Sequence, residues 1–93
     1  MTTISLDSAV RPSDEVMFRE IGGEAVLLNL TTGEYFGLDA VGAQIWRLLD
    51  EQRQVGAVLR RLLDEFDAPA ELVERDLLGL VVQLAEKGLM TRT

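Results

Sequence analysis

The stretch Ala25-Val-Leu-Leu-Asn-Leu-Thr-Thr-Gly-Glu-Tyr-Phe-Gly-Leu-Asp39 contains two strand-like runs, a turn between them and the start of a helix. Residues 25–30 form an apolar run, Thr31-Thr-Gly33 is a turn signal, and Glu34-Tyr-Phe-Gly-Leu38 is an aromatic run with strand propensity. At Asp39, a residue type favoured as a helix N-cap, the apolar spacing changes from about two to about 3.6 residues. The stretch therefore predicts a hairpin that leads directly into a helix.

A further strand is predicted immediately before this hairpin. Val16-Met-Phe-Arg-Glu-Ile21 is a short strand-like run, and Gly22-Gly23 after it is a tight-turn signal. Two consecutive hairpins give a three-stranded antiparallel sheet, and the middle run is so apolar that we expect both of its faces to be covered. Residues 1–12 are polar and weakly patterned, so we predict a flexible N-terminal arm there and a single domain over 13–91.

Three helical patterns follow the predicted sheet. Apolar stripes indicate a first helix over about 39–51 and a second over about 55–66. We expect Asp67 to cap a third helix over about 70–87, which Gly88 ends. Strands followed by helices predict an α+β fold with the helices on one side of the sheet. Three short helices beside a small sheet also fit a winged-helix-like arrangement.

The composition of the 93 residues excludes several classes of function. The chain contains no cysteine and no histidine, so it lacks disulfides, thiol nucleophiles and the commonest general base and metal ligand. Its carboxylates show no metal-ligand spacing, and it has no glycine-rich phosphate loop. We therefore predict a non-enzyme with no catalytic residues, metal or cofactor. No signal-like N-terminus and no apolar run of about 20 residues is present, so we expect a cytoplasmic location away from membranes.

The net charge argues against nucleic acid as a partner. Nine basic and sixteen acidic residues give a formal net charge of −7, whereas binding to a phosphate backbone requires basic side chains. Arg53, Arg60 and Arg61 form a small cationic cluster on the second helix, so a winged-helix DNA-binding regulator stays an alternative. A self-associating structural module is another alternative, and the sequence allows either a monomer or a homodimer.

Two features instead point to a peptide partner. The edge run Glu34–Leu38 has one charge at its start and no proline, and Gly37 lets another backbone approach closely. The third helix is apolar over about 200° of its surface, whereas packing on one core requires about 100°. Its two apolar stripes are Val73, Leu77, Leu80, Val81 and Leu84, and Leu78, Val82 and Ala85. An open edge beside an apolar helix suits β-augmentation, in which an extended peptide adds a strand. A central helix and a strand protected by its shortness explain the same residues without a partner.

Several segments of the chain resemble the PqqD family. They are Gly23-Glu-Ala-Val-Leu-Leu-Asn-Leu30, Thr32-Gly-Glu-Tyr-Phe-Gly-Leu-Asp39, Gly42-Ala-Gln-Ile-Trp-Arg-Leu-Leu49, Arg75-Asp-Leu77 and Leu84-Ala-Glu-Lys-Gly-Leu89. The resemblance covers about residues 10–91. It implies a recognition protein that binds the leader of a ribosomally made precursor peptide and presents that precursor to a modifying or processing enzyme.

The resemblance also implies where the leader binds. In the family, the leader pairs with the third strand and lies against the third helix. Carried over by position, the binding residues are Glu34, Tyr35, Phe36, Gly37, Leu38, Val73, Asp76, Leu77, Leu80 and Leu84. Gly42 and Trp46 match family positions with a structural role.

The family serves two kinds of enzyme. One branch partners a radical-SAM enzyme of pyrroloquinoline quinone synthesis, and another delivers lasso-peptide precursors to a leader peptidase. The segments Ser5-Leu6 and Val10-Arg11-Pro12 are more similar to the lasso type. The resemblance therefore favours a leader peptidase as the partner, with a radical-SAM enzyme next.

Overall fold

The computed structural model describes residues 4–93, which form five strands and three helices. The strands are β1 (Val10–Pro12), β2 (Val16–Ile21), β3 (Glu24–Asn29), β4 (Tyr35–Leu38) and β5 (Met90–Arg92). The helices are α1 (Ala40–Gln52), α2 (Val55–Glu65) and α3 (Ala70–Glu86). Among these residues, no helix combines the length and the apolar character that crossing a membrane requires.

Strands β2, β3 and β4 form one antiparallel sheet in that spatial order. The first turn of the sheet is Gly22-Gly23, whose φ angles of 59° and 87° suit glycine and match the two-residue hairpin turns. Ile21 therefore lies opposite Glu24, and in the second hairpin Ala25 lies opposite Leu38. The predicted α+β fold, with a three-stranded antiparallel sheet followed by three helices, is confirmed.

The core lies between the inner face of this sheet and the helices. Asp39 caps α1 as predicted, because its carboxylate accepts a hydrogen bond from the Gly42 N–H at 2.8 Å. Trp46 of α1 is 3% exposed and stacks on Phe18 of β2, with the ring centroids 6.2 Å apart. The place of Trp46 in the core agrees with the structural role that the resemblance implies for it. Helix α3 contributes three fully buried side chains to the same core, namely Leu77, Val81 and Leu84.

The expectation that both faces of the middle strand are covered is wrong. The inward side chains of β3 are buried, whereas Val26 and Leu28, which point the other way, are only partly covered. Helices lie on one face of the sheet only, because all three follow the sheet in sequence and pack together on the side of Leu27. The apolar character of the outer face therefore has no explanation in the folding of this domain.

Residues 10–12 form a strand, whereas a flexible arm was predicted there. Strand β1 pairs with β5, with Val10 opposite Arg92, and Val10 is 1% exposed. A three-residue strand whose partner lies at the other end of the sequence leaves no local pattern to recognise. Residues 1–3 of the predicted arm lie outside the described residues, and the division into 1–12 and 13–91 stays a prediction.

The two ends of α3 are held differently. The predicted cap Asp67 is wrong: Pro69 occupies the N-cap position, without a side-chain cap, and Asp67 lies too far upstream to cap the first turn. At the other end, Gly88 has a φ of 71° and ends the helix as predicted. Asn29 is buried there, and its side-chain amide donates to the Lys87 carbonyl at 2.9 Å. The side-chain Oδ1 of Asn29 also accepts from the Thr31 N–H at 2.9 Å, so this residue joins the β3–β4 turn to the end of α3.

Candidate functional site

The outer edge of β4 is open. This strand pairs with β3 on one side, and no strand within residues 4–93 pairs with its other side. The N–H of Asn29 donates to the Glu34 carbonyl at 2.9 Å, which sets the alternation of the antiparallel ladder. Phe36 and Leu38 therefore bond to β3, while Tyr35 and Gly37 direct their N–H and C=O groups outward. These groups form a template for one more strand.

The edge is also accessible to another backbone. Gly37 has no side chain, and a Cβ built on it would meet no atom within 4 Å. The Tyr35 side chain is 73% exposed and lies on the outer face of the sheet, not across the edge. A peptide can therefore approach the free N–H and C=O groups without moving a side chain of the described residues.

A groove runs beside this edge. A cavity of about 340 Å³ separates β4 from α3, with the start of α1 as its floor. Its lining residues are Phe36, Gly37, Leu38, Asp39, Val41, Gly42, Ile45, Asp76, Leu80 and Gln83. The groove therefore presents apolar side chains directly below the position of an added strand.

A second cavity extends the groove towards the start of α3. It measures about 190 Å³ and is almost wholly apolar. Its lining residues are Val41, Ile45, Leu62, Phe66, Ala68, Leu72, Val73, Asp76 and Leu77. The two cavities share Val41, Ile45 and Asp76, so they form one continuous depression, which we call the α3 groove.

Asp76 is the charged group at the junction of the two cavities. Its side chain is 67% exposed, and the nearest cation is the Arg75 guanidinium, with Nε 3.7 Å from the carboxylate. An exposed pair of this kind contributes at most about 1 kcal/mol and is readily exchanged. The carboxylate is therefore available to accept a hydrogen bond from a bound peptide.

The structure brings together most of the predicted binding residues. Seven of them line the α3 groove, namely Phe36, Gly37, Leu38, Val73, Asp76, Leu77 and Leu80. Three lie elsewhere. Tyr35 is on the outer face of the sheet, Glu34 lines a separate polar depression with Lys87, and Leu84 is fully buried in the core. Leu84 lies on the core-facing side of α3, about 80° from Asp76 at 100° per residue.

Sequence reasoning missed the contribution of α1 to the groove. Val41 and Ile45 begin the apolar stripe that predicts α1, and Val41 is 47% exposed. Val41 faces the gap between α1 and α3, whereas Ala43 in the same helical turn faces the core. The position of Val41 immediately after the Asp39 cap is the signal that was available. Gln83, one turn beyond Leu80, was also missed.

Metal binding and nucleic-acid binding find little support in the described residues. Within residues 4–93, no group of three or more carboxylates is placed to hold a metal ion. In the cationic cluster on α2 and before it, Arg53 bonds to Asp50 at 3.1 Å and Arg61 lies 3.7 Å from Glu65. Two of its three cations are thus partly neutralised, which leaves little charge for a nucleic acid.

The chain is similar to one protein family, to one curated relative and to two solved structures. The family described as "Coenzyme PQQ synthesis protein D (PqqD)" matches residues 24–90. A "PqqA binding protein" from Gluconobacter oxydans (strain 621H) is 38% identical over 55 residues, which are 59% of this chain and 57% of that protein. The match thus spans little more than half the length of that relative.

Two solved structures have the same fold. "TbiB1 in Complex with the TbiA(beta) Leader Peptide" superposes with a TM-score of 0.80 and 42% identity, over 86% of this chain and 93% of that one. "Lasso peptide synthetase B1 complexed with the leader peptide" gives a TM-score of 0.79 and 28% identity, over 88% and 96%. In both structures the matching protein was solved together with a leader peptide.

Proposed function

This chain belongs to the PqqD family, and we propose that it is a non-catalytic cytoplasmic protein that binds the leader of a ribosomally made precursor peptide. In this proposal, it presents the precursor to a processing enzyme. The names of its relatives support the proposal, because one is a PqqA binding protein and two structural neighbours hold leader peptides. The observation in this chain that carries the proposal is the open β4 edge beside the α3 groove.

Strand addition at β4 supplies the affinity that does not depend on sequence. The N–H and C=O groups of Tyr35 and Gly37 offer up to four backbone hydrogen bonds to an extended peptide. Each such bond contributes about 0.5–1.5 kcal/mol net of the water that it replaces. Backbone pairing alone therefore gives weak binding to many peptides, and selection among them requires side-chain contacts.

The α3 groove supplies that selection. Alternate side chains of the added strand point inward, over Phe36 and Leu80. The apolar cavity near Val73 has room for one large side chain, whose burial contributes about 1.5–3 kcal/mol. Asp76 at the junction accepts a hydrogen bond from a hydroxyl, amide or cationic group. The matching peptide is extended and has spaced apolar residues with a donor between them.

We propose a leader peptidase of the lasso-peptide type as the processing enzyme, with a radical-SAM enzyme of pyrroloquinoline quinone synthesis as the second candidate. The leader-bound structural neighbours, one of them named a lasso peptide synthetase B1, cover 86% and 88% of this chain. The name of that neighbour supports the lasso type, and the PqqA binding relative, 38% identical over 59% of this chain, supports the second candidate.

The proposal is tested by titrating the chain with the leader of the precursor encoded beside its gene, followed by amide NMR. We expect shifts to cluster at residues 34–38 and along α3 from Val73 to Gln83. Binding weaker than about 100 μM, or shifts confined to other surfaces, would contradict the proposal.

A further inference from the structure

The face of the sheet that points away from the helices is apolar and uncovered. We call it the outer sheet face; its residues are Met17, Arg19, Ile21, Val26, Leu28 and Tyr35. The Met17, Ile21 and Tyr35 side chains are 51%, 64% and 73% exposed. Strands β2 and β3 have six residues and β4 has four, so with about 3.3 Å per residue and about 4.8 Å between strands the face covers about 250 Å². Exposed apolar side chains that cluster on a face of this size in a small domain are typical of an interaction surface.

The outer sheet face carries one cation, Arg19, halfway along the edge strand β2, and one anion, Glu24, opposite Ile21. Arg19 stands between Met17 and Ile21 along β2 and opposite Val26 of β3. Within residues 4–93, the Arg19 guanidinium makes no ion pair or side-chain hydrogen bond. A guanidinium surrounded by apolar side chains is matched by a carboxylate that lies within an apolar surface, since the pair is then both desolvated and hydrogen-bonded.

We propose that the outer sheet face is the docking surface for the processing enzyme, and that the enzyme meets it with an apolar patch that carries a carboxylate opposite Arg19. This inference rests on the proposed function. The face is continuous with the proposed peptide edge, because Tyr35 and Gly37 offer their backbone to the peptide and lie on the outer side of β4. An enzyme docked here therefore lies directly beside the bound peptide.

A second copy of the chain fits this face poorly. Each chain carries a formal net charge of −7, so two copies repel each other. This net charge favours a different protein over self-association.

Four variants test the proposal with the precursor leader and with the purified processing enzyme encoded in the same gene cluster. Arg19→Glu reverses the cationic charge of the face, and Ile21→Glu places a charge in its apolar part. Arg19→Lys keeps the charge, and Arg60→Glu reverses an exposed charge on α2, far from the sheet. Leader affinity is measured by fluorescence anisotropy, and enzyme affinity is measured by calorimetry on the leader-saturated complex.

We expect Arg19→Glu and Ile21→Glu to weaken enzyme binding about tenfold or more. All four variants should bind the leader within about twofold of the wild-type affinity, because these sites lie away from the β4 edge, where the leader is proposed to bind. Arg19→Lys and Arg60→Glu should keep enzyme binding within about threefold. Enzyme affinity that is unchanged in both Glu variants overturns the inference.

Other outcomes assign the face to a different occupant. If Arg19→Glu weakens leader binding as strongly as enzyme binding, the face belongs to the peptide site and the inference is wrong. If sedimentation shows a wild-type dimer that Ile21→Glu dissociates, the occupant is a second copy, and the inference is also wrong. A wild-type chain that binds no leader contradicts the proposed function itself, and the inference falls with it.

Discussion

The two edges of the three-stranded sheet meet the same solvent but are protected differently. At the β2 edge, Arg19 and Glu20 are charged, and Glu20 forms an ion pair with Arg47 of α1. At the β4 edge, four residues carry no charge, and Gly37 leaves the backbone bare. Proteins normally block exposed edges with charges, prolines or bulges, because open edges pair with other chains. Protection of one edge alone indicates that the other is kept open for a partner.

The two edge strands are both anchored to the core, although by different side chains. Phe18 of β2 stacks on Trp46, whereas Leu38 of β4 is 5% exposed and packs beside the start of α1. The open β4 edge is therefore held in place by the core. A rigid template loses less conformational entropy when a peptide pairs with it.

The largest effect that we expect comes from removing the anchor of the open edge. Leu38→Ala should lower the free energy of unfolding by about 2–4 kcal/mol, because the buried side chain leaves a cavity. Tyr35→Ala, on the same strand but 73% exposed, should change it by less than about 0.5 kcal/mol. Urea unfolding measures both values. Equal effects would mean that β4 is not fixed to the core, and the comparison of the edges would fail.

Next in size is a proline placed at each edge. Gly37→Pro removes an outward N–H at β4, and we expect leader affinity to fall about 10–100-fold. Glu20→Pro is the matched change at β2, because the Leu30-to-Glu15 hydrogen bond places the Glu20 N–H on the free side of the ladder. It should leave leader affinity within about twofold.

Gly37→Ala is the control for the first of these variants. It keeps the N–H, and its Cβ meets no atom within 4 Å, so leader affinity should stay close to that of the wild type. Anisotropy titration distinguishes the variants. If the proline at Glu20 weakens binding as much as the proline at Gly37, the edges are equivalent and strand addition at β4 is wrong.

A smaller effect concerns the helix that faces the open edge. Gly79 lies in an exposed part of α3, and a Cβ there meets no atom within 4 Å, so Gly79→Ala should stabilise the fold by about 1 kcal/mol. The melting temperature should then rise by about 4–8 °C. The same change at Gly42 places a Cβ 3.1 Å from the Leu38 side chain, and it should give a smaller gain or a loss. Equal gains in melting temperature would mean that a methyl group at Gly42 fits between α1 and Leu38 without strain.

The smallest effect on stability that we expect is at the β2 edge, which charged side chains protect. Glu20→Gln removes the ion pair with Arg47, whose side chains are 46% and 48% exposed. A pair so accessible to water should contribute less than about 1 kcal/mol, and the difference from wild type should shrink in 1 M NaCl because salt screens the charges. Unfolding at low and high salt measures this. A loss that is larger, or that does not depend on salt, would mean that Glu20 has a role in packing.

Local signals predicted most of the fold. Gly22-Gly23 and Gly33 mark the two turns, Asp39 marks the start of α1, and each acts through its immediate neighbours. The β1–β5 pair was not predictable in this way, because Val10 and Arg92 meet only after the whole chain has folded. The order of elements and the hairpin register therefore follow from the sequence, while contacts between distant segments do not.

The same distinction applies to the candidate site. The open edge was predicted from Gly37, a single charge at the start of the run and the absence of proline, which are properties of one short segment. The face that each α3 residue presents depends on how the helix is rotated against α1, and periodicity alone does not set that rotation. This is why periodicity did not show that Leu84 is fully buried, or that Val41 lines the α3 groove.

The amide of Asn29 has a mechanical consequence for the groove. It fastens the β3–β4 turn to the C-terminal end of α3, whereas the N-terminal end of that helix begins at Pro69 without a side-chain cap. The gap between strand and helix is therefore tied by a hydrogen bond at one end, near Asn29, and held by apolar packing at the other, near Val73. Under the proposed function, we expect stricter limits on the size of a peptide side chain beside Asn29 than beside Val73.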